Sequence, residues 1–253
     1  MSIAPPIAQT PPLLLRAIWS VVIALVLIGV AAAIARALFP ADLSTYAEPF
    51  RTRVLASLQI TDPFAADRAT ELLRLDGRFA AHPLLTLLHV VPGGILLLFA
   101  PLQFSARVRN RHRQLHRWSG RVLMAAGIVA VAPALFFGVI IPYGGSGEAV
   151  AIAVIAGLFL FALFTAFIAI RRHEVTRHRE WMIRAFALAL TIATVRVIAS
   201  VLDATLTPAG FRPPVIFVIS IWTGWVLTLG AAEVWIRYTR PQMARQADPG
   251  SRP

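Results

Sequence analysis

The chain contains no cysteine, no lysine and few charges of either sign. The first absence excludes disulfides, thiolate metal sites and cysteine-held iron–sulfur clusters, and leaves the redox compartment open. The second makes all 24 basic residues arginine, against 12 acids, for a net charge of +12. Only 14% of the 253 residues are charged, where soluble domains average about 25%. Hydrophobic residues make up 58%, and the mean hydropathy is +0.72. One aqueous core cannot hide so much apolar surface, so most of it must face lipid. In a soluble protein the basic excess would point to nucleic acid. Here the arginines cluster at the ends of apolar runs. Membrane orientation and contact with anionic lipid headgroups explain them, and no nucleic-acid partner is expected.

What is present is a series of six apolar runs: Leu13–Leu38, Leu84–Phe104, Val122–Ile141, Val150–Ile170, Ile183–Leu202 and Val215–Ile236. Each has roughly the ~20 residues that a helix needs to cross a hydrocarbon core. The fold class expected is all-α, a polytopic membrane protein with a six-helix bundle. Residues 1–12 and 239–253 read as tails around a membrane domain, 13–238. The first run competes with a signal peptide, but its apolar core is longer than the ~7–15 residues of one, so an uncleaved span is preferred. Between the first two runs, residues 40–82 read as two short amphipathic helices on the membrane surface. The first carries Phe50, Val54, Leu55 and Leu58. The second starts at Asp62-Pro63, stops at Gly77 and turns Phe64, Leu72, Leu75 and Phe79 to its apolar face. Counted on alternate sides of the spans, arginines number sixteen and six, and the positive-inside rule places both termini in the cytoplasm.

Two segments hold candidate chemistry at the cytoplasmic side. Arg107 to Arg121 carries six arginines, His112, His116 and no acid, and it opens the third span. His178-Arg179-Glu180-Trp181-Met182-Ile183-Arg184 opens the fifth. His116 and His178 stand at one depth, and imidazole is a natural axial ligand for haem iron. Gly120, Ala125, Ala126 and Gly127 offer small side chains beside a flat group, and nearby arginines would pair with propionates. The bland reading is that these residues are interfacial anchors and lipid contacts. His112 with His116 has the spacing of a zinc pair but lacks a third ligand, so no metal site is expected. His173 reads as a solvated residue, and Gln103 either hydrogen-bonds near His116 or caps its helix.

A second cluster lies deeper and towards the outside. At ~1.5 Å per residue across a core of ~30 Å, His89 and Arg196 come to similar depth. An arginine there costs at least ~2.5 kcal/mol to insert and should have a partner inside the bundle. Asp203, on the same helical face, is the expected carboxylate. The set either binds a ligand or is a buried ion pair that fixes packing. Gly93-Gly94 permits close approach of a helix or a flat ligand, and His82 before Pro83 reads as a helix start. No Ser-His-Asp order, paired carboxylates or H-E-x-x-H motif is present.

These features together resemble a family of bacterial membrane proteins known as domain of unknown function 2306. The matching features are His89 with Gly93-Gly94 and Gln103, the segments at His116 and His178, and Arg196. The resemblance covers roughly residues 40–205 and implies a bacterial inner-membrane location but no activity. More distantly, the chain is similar to transmembrane b-type cytochromes, in which paired histidines on neighbouring helices hold haem. That likeness implies haem b on His116 and His178, with a quinone or other anion-bearing group at His89, Arg196 and Asp203 and a redox partner. Two alternatives stay open: a cofactor-free transporter or small-molecule binder, and a membrane assembly scaffold.

Overall fold

The computed structural model describes residues 12–41, five positions between 52 and 59, and residues 65–247. The first amphipathic pattern of the 40–82 segment, the Asp62-Pro63 start of the second, and both chain ends lie outside the described residues or only in fragments of them. Among the described residues the helices with defined bounds are, in order, α1 Pro12–Leu38, α2 Ala65–Ala80, α3 Pro83–Gln103, α4 Ala106–Arg111, α5 Arg113–Leu135, α6 Ser146–Arg171, α7 Val175–Leu206 and α8 Pro213–Ala247. A π-helix, Phe136–Ile140, continues α5, and no strand occurs among the described residues. Hydrocarbon offers no partner for a peptide group, so an apolar run must bond its backbone internally, which a helix does. Among the described residues, six helices are long and apolar enough to cross a membrane: Leu13–Leu38, Pro83–Gln103, Arg113–Ile140, Ser146–Arg171, Val175–Leu206 and Pro213–Arg240.

The two histidine segments belong to the spanning helices themselves. α5 begins at Arg113 and α7 at Val175, well before the apolar runs they carry. A helix tolerates arginine in its first turns because the long side chain reaches back to the water boundary. His112 breaks α4 from α5, with φ −125° and ψ 59°, so it does not share a helical face with His116. At the other end, Pro83 sits at the start of α3 with His82 before it, as the residue order requires. The second amphipathic pattern runs past Gly77 and ends at Ala80.

α3, α5, α6 and α7 pack in a ring: α3 touches α5 and α7, and α6 touches the same two. α5 and α7 therefore face each other from opposite corners. Their shared core joins Leu96, Met124, Val131, Phe159, Leu163, Ala185 and Leu188. α1 lies outside the ring against α3 and α7, through Val26, Leu97 and Leu190. Gly29 makes this approach possible, because a Cβ there would stand 2.7 Å from Leu97. α8 packs along α7. Thr191 and Thr228 meet at 3.1 Å, and Arg184 and Arg240 hold Glu233 and Glu180. Hydroxyl contacts and ion pairs of this kind help replace the hydrophobic drive that lipid cannot supply between helices.

Candidate functional site

His116 and His178 stand in the first turns of α5 and α7, at the same end of the ring. They are close enough for their charges to interact. His178 Nδ1 lies 2.8 Å from the Ala166 carbonyl of α6. A carbonyl only accepts, so Nδ1 carries the proton and Nε2 is left with its lone pair. This is the arrangement that orients an imidazole for ligation. His116 Nδ1 is buried and has no hydrogen-bond partner. Gln103, at the end of α3, donates to Ser119 Oγ at 2.7 Å, one turn from His116. Gln103 is thereby drawn to this end as a side-chain bond, and Phe104 is the residue that caps α3.

The small residues of α5 do not form one open face. Gly127 is filled from α6, since a Cβ there would meet the Phe159 ring at 2.9 Å. Ala125 is exposed towards lipid. Gly120 faces Gln103, whose Oε1 a Cβ would meet at 3.4 Å. The arginines from Arg107 to Arg121 are exposed and make no ion pair among the described residues. Arg121 stacks over Trp118 at 5.2 Å. His173 is exposed at the turn after α6, with φ 62°.

His89 donates from Nδ1 to the Ala130 carbonyl of α5 at 2.9 Å. Pro133, three residues on inside α5, takes an N–H out of the helix ladder close to this carbonyl. Arg196 lies at the opposite end from His116, and the charges acting on it are Arg36 and Asp76. Its Nε is buried without a partner. Asp203 accepts from Thr207 at 3.0 Å. Gly94 meets Ala33 of α1, while Gly93 faces open space.

Sequence reasoning missed most of what surrounds Arg196. Arg36 of α1 donates to Asp76 of α2 at 2.7 Å, and both side chains are buried. Two residues on, Arg78 reaches Glu148 at 3.2 Å and the carbonyls of Phe137 and Ile141 at 3.3 Å. The Phe137 carbonyl lies within the π-helix and that of Ile141 just after it, where the wider turn loosens the regular bond pattern. Glu148 also accepts from the Gly144 amide at 2.7 Å, and Phe79 lies beneath Arg36, 4.5 Å away. Burial holds the Arg78 guanidinium below its ordinary pKa; Glu148 opposes this and Arg36 adds to it. The signal available in the sequence was Arg36 itself. An arginine within a span demands a carboxylate, and Asp76 and Glu148 are among the few acids near that end.

The family described as Predicted membrane protein (DUF2306) matches residues 86–236, well over half of the chain. No curated protein and no solved structure matches the chain. The chain belongs to this membrane-protein family.

Proposed function

From that membership and the geometry of the His116 end, we propose that the chain is a one-electron carrier holding haem b between His116 and His178. The observation that carries this is the pairing of two imidazoles on opposite corners of a four-helix ring, one with its Nε2 lone pair free. The residues present fit the group. His116 brings a buried, unpartnered ring nitrogen, and the exposed Arg117 and Arg121 would pair with propionates. Held by two imidazoles, the iron would have no open position and would exchange single electrons. Ala166 fixes the tautomer and orientation of His178. Gln103, through Ser119, fixes the turn that carries His116. His89, Arg196 and Asp203 would receive a quinone or another anion-bearing group nearer the opposite end. The His116 end is the cytoplasmic one in a bacterial inner membrane, where its arginines meet anionic headgroups.

Optical spectra of the purified protein, expressed with haem supplied, test this. A Soret band is expected, lost on His116→Ala and on His178→Ala while helical circular dichroism persists. Absence of the band from the unaltered protein overturns the proposal. A cofactor-free transporter or binder is the second reading, favoured by the partnerless Nε of Arg196 beside Arg36 and Asp76. Flux abolished by Arg196→Gln, in a folded protein without a Soret band, would establish that reading instead.

A further inference from the structure

At the end opposite His116, α2 and the turn after the π-helix enclose a cleft of about 280 Å³. Arg74, Arg78, Ile141, Pro142 and Tyr143 line it. The volume would hold roughly nine waters at ~30 Å³ each, enough for a phosphate with its ester substituents. Two observations make it more than a surface dent. The Arg78 side chain is nine-tenths buried, yet its three acceptors all lie at 3.2–3.3 Å from one nitrogen, the long end of hydrogen-bond geometry. Its Nε has no partner at all. Arg74 stands one turn before it on the same helical face. That side chain is exposed and makes no ion pair or hydrogen bond among the described residues. Two guanidinia thus flank one cleft, one under-bonded and one free.

We propose that this cleft binds a phosphate group, free or as the headgroup of a phospholipid. Guanidinium forks match tetrahedral oxyanions with two parallel bonds, and a buried fork short of acceptors gains most from one. A cation would meet two positive charges. The walls are Ile141 and Pro142, and Ile140 beside them is 67% exposed at the end of the span. A headgroup in the cleft would therefore leave its acyl chains beside apolar surface, which makes lipid one natural source of the phosphate. The proposal stands apart from haem binding and shares no residue with it.

The test uses the full chain in a neutral detergent, followed by thermal unfolding. Inorganic phosphate replaces chloride at constant ionic strength in one arm. In the other, phosphatidylglycerol replaces a neutral diacylglycerol in lipid nanodiscs. The unaltered protein is expected to gain thermal stability, with the half-effect concentration raised about tenfold by Arg74→Gln, the loss of one charge-assisted contact. Stabilisation in both arms means that the free group suffices, and stabilisation in the lipid arm alone assigns the headgroup. No stabilisation in either arm, or an Arg74→Gln protein that responds like the unaltered one, overturns the proposal. Arg74 is exposed and unpaired, so its substitution leaves the fold intact.

Discussion

Two groups of arginines sit in opposite settings. Near the outer end of α1, two guanidinia are drawn in and matched: Arg36 with Asp76 and Arg78 with Glu148. Between Arg107 and Arg121 six stand exposed and make no ion pair among the described residues. The residue type is the same, and what differs is the dielectric and the partner. Where a guanidinium enclosed among helices has a carboxylate beside it, that acid is part of the packing. One left at a water boundary is free to meet phosphate or propionate, and it contributes little to the fold.

Substitutions at either end would break or sharpen that contrast. The largest effect is expected from Asp76→Asn, which strands Arg36 inside the bundle. Unfolding in mixed micelles should show a loss of about 3–5 kcal/mol. Glu148→Gln keeps an acceptor for the Gly144 amide but removes the charge facing Arg78. The same titration should show about 2 kcal/mol. Glu233→Gln, whose side chain is 34% exposed, loosens α7 from α8 by about 1 kcal/mol. At the other extreme, Arg107→Gln with Arg111→Gln should leave the unfolding midpoint where it was. Native mass spectra should instead show anionic phospholipid retained about fivefold less per charge removed. A midpoint that fell with these exposed arginines, or held with Asp76→Asn, would erase the distinction between the two ends.

The six spans were legible because hydropathy over some twenty residues is a local property, and the helices found coincide with the apolar runs. The starts of α5 and α7 were less so. Polar turns at a water boundary look like loops, although their backbone bonds continue the helix below. His116 and His178 were found as a pair because each occupies the same place before its run. The network at Arg36 escaped for a different reason. Its bonds join residues 40 and 70 positions apart, and no window of sequence contains both partners. Asp203 could be matched to Arg196 because the two share a helix face, whereas the influence of Asp76 on Arg196, from another helix, could not be read that way. On α2, Asp76 and Arg78 stand at opposite edges of the apolar face that carries Leu75 and Phe79, and Asp76 is 1% exposed.

The π-helix at Phe136–Ile140 has the register of an α-helix with one residue added. Gly138 keeps this stretch tight against α6, where a Cβ would come within 2.7 Å of Ile152. Shortening the stretch by one residue would restore the ordinary winding and swing everything beyond it by about 100°. The hairpin through Tyr143 would then point its amides and Glu148 elsewhere, and Arg78 would lose carboxylate and carbonyls together. In lineages of this protein, length at that position should therefore be guarded more strictly than the side chains that fill it.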